Sequence, residues 1–540
     1  MNGRNQAPDS TKTDTDSSSS TPGKILPWLG LVAAALILRA GFAPVSSTVA
    51  ALAGWALFFA CLARVGRPFF AGLLFHTVLS LSVSSFLFTA MLEHYGLGWP
   101  VSAAFWIVAA GIVPSLAHAV FSWLAHKPVR ELAGSPPGAR ALALALFVAA
   151  WFTLAHFVRV VLSLEQGWGH MGSVFHSHAT ALSWAALLGA DGLVFGLLFG
   201  AVLAWLAAGE AFSRRWGRAG LFALVLVVMG FASYATGVSR LQGTVQGTEL
   251  DVAIVHPRIE QEQRWREDTR AANLAEYEAL SLAAFENGGG PARLIVWPET
   301  ALTHAYESND AARAVVENVC RENSAWLLFG APFYTGAGEG RRFFNSAYLC
   351  SPDGRVVARY DKNHLLPFAE KSVFGLRAST GRFNAPYSAG ESSVLLPLGV
   401  PGSGQAPIPV GVAVCFEIGI SFHVSRMATR GMRLLVNLSN DAWFGDSSES
   451  GQQLALLTLR CAEHGVPGIR ATGYGVVATV DKWGRMRRST GIDEATVLRD
   501  SLVVPPPDRT VATLFPHWFV LLCGAVVAGG FLGNRYRKRD

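Results

Sequence analysis

Charge is scarce in this chain. Asp, Glu, Lys and Arg together make 15% of 540 residues, against 51% hydrophobic residues and a mean hydropathy of +0.33. That balance excludes an ordinary soluble enzyme and leaves a membrane protein that carries one folded domain. Cysteine is scarce too: six in a chain this long exclude a disulfide framework. Cys61 and Cys523 lie in apolar runs and read as inert core, whereas Cys320 and Cys350 fall in the polar middle, where an oxidising compartment would permit a bridge. No internal repeat is visible. The Ser-, Thr- and Asp-rich start, Met1 to Pro22, resembles neither a signal peptide nor a folded element and reads as a disordered tail.

Apolar stretches able to cross about 30 Å of hydrocarbon run at Ile25 to Ala43, Thr48 to Leu62, Phe69 to Met91, Val101 to Leu124, Ala141 to Val161, Gly192 to Ala208, Gly220 to Gly237 and Val511 to Leu532. They predict a multi-span helical membrane domain of about eight transmembrane helices. Lys and Arg gather in alternate loops, at Arg64 and Arg67, at Lys127, Arg130 and Arg140, at Arg214, Arg215 and Arg218, and at Arg535, Arg537, Lys538 and Arg539. The opposite loops, Pro44 to Ser47, Glu93 to Pro100 and Glu165 to Thr180, hold none. Because basic residues mark the cytoplasmic side, both termini are expected inside and the block from Glu249 to Pro505 outside. That block has 25 Lys and Arg against 28 Asp and Glu, so the net charge of +6 comes from the remainder. The basicity is topological and does not argue for nucleic acid. The expected divisions are a tail at 1–22, a helical membrane domain of about seven helices at 23–245, an extracytoplasmic domain at 246–508, a last transmembrane helix at 509–534 and a basic tail at 535–540.

Inside that block short β-rich runs alternate with amphipathic helices. Val252 to Val255, Leu294 to Val296, Trp326 to Phe329, Ser346 to Leu349, Val356 to Tyr360, Val410 to Val414, Leu434 to Leu438 and Val476 to Val480 read as strands. Thr269 to Phe285, Asp310 to Glu322, Gly419 to Thr429 and Gln452 to His464 read as helices. Strands this apolar are buried on both faces, which predicts a layered α/β domain. Gly375 to Ala406 is too long for a simple connection. It reads either as a lid whose Phe374, Leu376 and Phe383 dip into the membrane interface or as a variable surface loop.

Three motifs carry chemistry. Cys415 ends an apolar strand and precedes Phe416-Glu417-Ile418-Gly419, a sharp turn into a helix that exposes a side chain and offers backbone N–H groups to an oxyanion. A thiol needs a neighbouring base or cation to act as nucleophile. Glu299, in Trp297-Pro298-Glu299, stands just past another strand, where a partly dry carboxylate can take the thiol proton. Lys362 follows a third strand and can meet the oxyanion. Glu370 and Glu417 are candidates to orient the lysine or tune the base. Taken singly, each of these residues is more often a structural or surface group.

Together the motifs closely resemble the nitrilase superfamily, whose Glu, Lys and Cys occur in this order on an α-β-β-α sandwich. With the membrane frame they resemble the apolipoprotein N-acyltransferase family, on Trp297 to Glu299, Lys362 to Glu370, Cys415 to Glu417 and Ser439 to Gly445. The resemblance implies an inner-membrane enzyme with its catalytic domain in the periplasm. It would move an acyl chain from a phospholipid, through a thioester on Cys415, to the α-amine of a diacylglyceryl-cysteine at the N-terminus of an apolipoprotein. Glu299 would be base and acid, Lys362 the oxyanion donor, and Glu370 and Glu417 supports. Trp265 aligns with a family tryptophan near the acyl-enzyme, and Phe416, Asn440 and Trp443 are the further candidates for substrate contact, with Asp441 beside them. The resemblance implies no cofactor, no metal and no nucleic-acid partner, and a monomer. The chain departs from the family at His256-Pro257, Gln452-Gln453 and Gly473-Tyr474-Gly475, which puts substrate preference in doubt more than reaction type. Intramembrane His156, Arg159 and Asp191 lie near expected outer ends, where contact with water or headgroups explains them. Two other readings stay open: a membrane-tethered amidase of nitrilase type, and a lipid-binding scaffold with a dead catalytic fold.

Overall fold

The computed structural model describes residues 21–95, 97–163, 167–285, 293–367, 369–372, 387–400, 404, 406–491 and 495–536, the side chains of 21–23, 339 and 532–536 apart. The N-terminal tail up to residue 20, Phe374, Leu376, Phe383 and the basic C-terminal side chains therefore lie outside the described residues.

Apolar runs with a period of two build two six-stranded sheets. In the first the order is Thr496–Val504, Thr248–His256, Arg293–Val296, Trp326–Thr335, Arg342–Cys350, Val356–Asp361. In the second it is Met486–Ser489, Ala478–Val480, Gly468–Thr472, Leu434–Ser439, Ile408–Val414, Leu396–Leu398. Three adjacent strands of the first are mutually parallel, from Thr248–His256 to Trp326–Thr335, and three of the second, from Ile408–Val414 to Gly468–Thr472. Alternate residues divide the burial: Val252, Ile254 and Val296 meet Val412, Val414 and Val436 between the sheets. Ala253, Val255 and Ile295 turn outward onto Tyr277, Val316 and Val319 of the helices Arg270–Leu282 and Asp310–Asn323. Ala413 and Leu435 do the same against Ser421–Thr429 and Glu449–His464. The result is an α-β-β-α sandwich, the architecture that the resemblance implies. Four strands went unread: Leu396–Leu398, Gly468–Thr472, Met486–Ser489 and Thr496–Val504. The first corrects the reading of 375–406 as loop throughout, since it pairs with Ile408–Val414.

A helical segment stands at each of the eight apolar runs, but eight independent spans do not follow. Among the described residues four helices are long and apolar enough to cross a membrane: Trp99–Ala133, Gly138–Leu162, Ala185–Phe212 and Trp216–Leu241. A fifth follows if Pro68–Val83 and Ser85–Glu93, bent by 53° at Ser84, form one broken span. Thr48–Leu62 and Trp518–Phe531 are apolar but shorter. At 1.5 Å per residue, 15 residues reach only about 22 Å. The packed centre of this part is aromatic, with Trp55, Phe58, Phe59, Phe75 and Phe152 in mutual ring contact.

The expected water contact of His156, Arg159 and Asp191 is corrected by their burial. Arg159 donates to the carbonyls of Trp168 and Gly169, His156 accepts from Met171 N–H, and Asp191 pairs with His517 at 3.1 Å. Cys320 and Cys350 are both buried and free.

Candidate active site

Each motif sits where a strand stops, two of them parallel strands and the third, before Lys362, an edge strand paired antiparallel. Pro298 ends the run Arg293–Val296, and Thr300 takes φ of 46°, turning the chain at once after Glu299. The turn is held from behind: Arg264, buried, donates to the Glu299 and Thr300 carbonyls, and Gly330 packs so close that a Cβ there would stand 2.5 Å from Thr300 N. Lys362 follows Val356–Asp361, its N–H bonded to the Asn345 carbonyl at 2.8 Å. Cys415 follows Ile408–Val414 and opens the 3₁₀ turn Cys415–Gly419 with φ of 56°, a left-handed backbone that costs a non-glycine residue of order 1 kcal/mol.

These three strand ends converge. Lys362, 2% exposed, lies 2.9 Å from Glu370 and 3.7 Å from Glu299 Oε1, and its Nζ stands 5.3 Å from the centre of the Phe416 ring. Asn345 donates from one amide nitrogen to Glu299 at 2.7 Å and to Glu370 at 3.2 Å. Leu366 N–H fixes the other Glu370 oxygen at 2.7 Å. Glu417 is fully buried and accepts from the N–H groups of Asn363, His364 and Val414 and from Tyr360 Oη, all at 2.8–2.9 Å. Its carboxylate therefore straps the Lys362 segment to the cysteine turn.

Electrostatics follow from burial and company. Burial pushes the Glu299 carboxyl up, and Lys362 pulls against that. Burial would strip the Lys362 proton, but Glu370 and Glu299 outweigh it and hold the ammonium above its ordinary range. Burial, joined by Glu299, raises the Cys415 thiol strongly, while Lys362 opposes.

On its other side the half-buried thiol joins an apolar cluster shared by the two halves of the molecule. Phe86, Ala90 and Trp168 come from the membrane part; Phe416, Ile420 and Phe444 come from the sandwich, with Trp443 along the edge. Trp443 also stacks on Tyr95 at 5.4 Å. Of the proposed contact residues, Phe416 and Trp443 thus belong to the apolar cluster that the thiol joins. Asn440 is turned to Gln261 at 2.9 Å, and Trp265 caps the short helix Gln261–Arg264. Asn345, Arg264 and Tyr95 carried no motif in the sequence. Tyr360 lay next to one. Among the described residues no group of three His, Cys, Asp or Glu side chains is placed to hold a metal ion.

Two family models match the chain: the apolipoprotein N-acyltransferase N-terminal domain over residues 34–203 and the carbon-nitrogen hydrolase domain over 251–499. An apolipoprotein N-acyltransferase of Geobacter metallireducens is 34% identical over 51% of this chain and 52% of its own length. One of Brucella melitensis is 28% identical over 66% of each. The chain thus spans about half to two thirds of the length of these curated relatives. An amidase of the nitrilase superfamily from Nesterenkonia AN1 superposes with a TM-score of 0.37 at 18% identity, over 51% of this chain and 97% of that one. One model thus falls on the helical part and the other on the sandwich that holds Glu299, Lys362 and Cys415, so the chain carries an apolipoprotein N-acyltransferase N-terminal domain and a carbon-nitrogen hydrolase domain and is similar to curated apolipoprotein N-acyltransferases.

Proposed function

We propose that this protein transfers an acyl chain from a phospholipid, through a thioester on Cys415, to the α-amine of the N-terminal diacylglyceryl-cysteine of apolipoproteins. It works as a monomer in the inner membrane, with eight spans, cytoplasmic termini and the domain 246–508 in the periplasm. As the sulfur adds to the donor ester carbonyl, its proton passes to Glu299, and Lys362 Nζ meets the oxyanion, a contribution of about 3 kcal/mol for a donor of this kind. Collapse breaks the ester C–O bond, and Glu299 returns the proton to the departing lysophospholipid oxygen. The acceptor amine then adds to the thioester and loses a proton to Glu299. Collapse forms the amide, breaks the C–S bond and releases the thiolate, which regains that proton. Glu370 and Asn345 keep Lys362 and Glu299 in register, and Glu417 keeps the lysine segment against the thiol.

One observation carries the reading: the sulfur lies between a carboxylate–ammonium set and an apolar cluster to which the membrane part contributes Phe86, Ala90 and Trp168. A site for small soluble amides has no need of that second wall. Two bilayer-anchored substrates do, since confinement to one plane raises their effective concentration.

The test is purified protein incubated with phospholipid, then with a diacylated lipopeptide, followed by mass spectrometry. The expected products are a thioester on Cys415 and then a triacylated peptide. Free fatty acid without triacylated peptide would establish the amidase-type reading instead, and full biological activity of Cys415→Ala in cells, with no triacylated peptide formed in vitro, would support the scaffold.

A further inference from the structure

The thiol has a third wall, buried and polar, that takes no part in the steps above. Its centre is Arg470, in strand Gly468–Thr472 and fully buried. One guanidinium nitrogen pairs with Asp441 at 2.5 Å, and the other donates to Asn437 Oδ1 and, at 3.0 Å, to Gln453 Oε1. Asn437, its oxygen so occupied, donates from Nδ2 to the carbonyls of Ala413 and Cys415 at 2.9 and 3.0 Å. It thereby braces the left-handed turn. Gln453, its oxygen likewise occupied, must present Nε2 on the far side, where it donates to Glu449 Oε1 and reaches Cys415 Sγ at 4.0 Å, the outer limit for an N–H···S bond. One buried cation thus sets two amides, and both grip the same cysteine, one by its backbone and one by its sulfur.

We propose that Gln453, locked between Arg470 and Glu449, donates a hydrogen bond to the Cys415 sulfur and stabilises the thiolate as it forms, with Arg470 a positioning residue acting through Gln453 and Asn437. A bond from an amide to an ionised sulfur is about twice as strong as one to a neutral acceptor, so it favours the charged form selectively. The other charged or titratable groups facing the sulfur are Glu299, Lys362 and Glu370 of the first sheet's end, Glu449 of the adjoining helix and Tyr95 of the membrane part. Burial, reinforced by Asp441, pushes the Glu449 carboxyl far up. A neutral Glu449 orients the amide without adding negative charge beside the thiolate.

The inference rests on Cys415 being the nucleophile, but its test needs no lipid substrate. Full-length protein in detergent is treated with iodoacetamide across a pH series, and Cys415 alkylation is followed by peptide mass spectrometry; the other five cysteines are buried and serve as internal references. Gln453→Leu keeps the bulk and removes the donor. Its alkylation midpoint is expected about one unit above that of the parent, with about tenfold slower reaction below both midpoints. Gln453→His, which retains a ring N–H, is expected to return most of that shift. A parental midpoint in Gln453→Leu overturns the inference, as does a loss of rate equal at every pH or a histidine variant no better than leucine. Parental alkylation of Cys415 with no thioester from phospholipid would overturn the proposed function while leaving this test intact.

Discussion

Cys415 has to ionise where burial and Glu299 both resist ionisation. On the proposed mechanism the proton therefore leaves during attack, toward Glu299. Burial raises that carboxyl, which makes it a stronger base than a surface glutamate but leaves it protonated in mild acid. The sign follows: the rate of thioester formation rises with pH through the Glu299 titration, with a midpoint displaced above the ordinary 4.5. Glu299→Gln is expected to lose about 10²–10⁴-fold and to exchange that limb for one climbing toward the thiol's own, higher titration. Rapid-quench measurement of the acyl-enzyme between about pH 4 and 9 separates the two profiles. An unchanged acid limb in the glutamine variant would remove Glu299 from the role of base.

At the scale of elements, the helix Glu449–His464 joins the two halves. From sequence it is amphipathic, yet it is buried all round. Leu457 and Cys461 face the second sheet, while Leu459 and Ala462 meet Leu182, Ala185 and Leu193 of the membrane part. Its polar residues are accordingly paired across the seam: Gln452 donates to the Val83 carbonyl at 3.0 Å, and Glu463 accepts Ala190 N–H at 2.8 Å. That amide is free to donate because Gly189, at φ 70° and ψ 175°, breaks the helix Ala185–Phe212 and starts it afresh. Burial alone would raise Glu463, but Arg460, His464 and the Ala190 N–H bring it down to about 2. A depressed carboxyl contributes stability above its unfolded value, near 4.5, that is lost as pH falls toward 2. Glu463→Gln leaves Arg460 buried without its partner, so we expect about 3 kcal/mol of destabilisation. Thermal unfolding in detergent should show a lower midpoint and a weaker dependence on pH between those two values. An unchanged midpoint would mean that the seam is held by its apolar contacts alone.

For the molecule as a whole, the sandwich was legible because its strands are apolar on both faces, and so were the strand ends that hold Glu299, Lys362 and Cys415. Gly468–Thr472 escaped because Arg470 interrupts its pattern, and that arginine is tolerated only through partners, Asp441, Asn437 and Gln453, that are distant in sequence. The bend at Ser84, where Ser84 Oγ bonds to the Ser80 carbonyl, escaped because the run stays hydrophobic on either side of its serines. Orientation in the bilayer is a property of the whole chain, written in its loops and not in any contact. If Lys and Arg mark the cytoplasmic side, the exposed Ser489 of the sandwich and the exposed Ser213 beside Arg214 and Arg215 face opposite compartments. In a Cys415→Ala background, where the remaining native cysteines are buried, Ser489→Cys should react with a membrane-impermeant maleimide in intact spheroplasts. Ser213→Cys should react only after permeabilisation. The reverse pattern would put the thiol in the cytoplasm, away from any apolipoprotein already carried across the membrane, and would end the acyl-transfer reading even with every distance at the site unchanged.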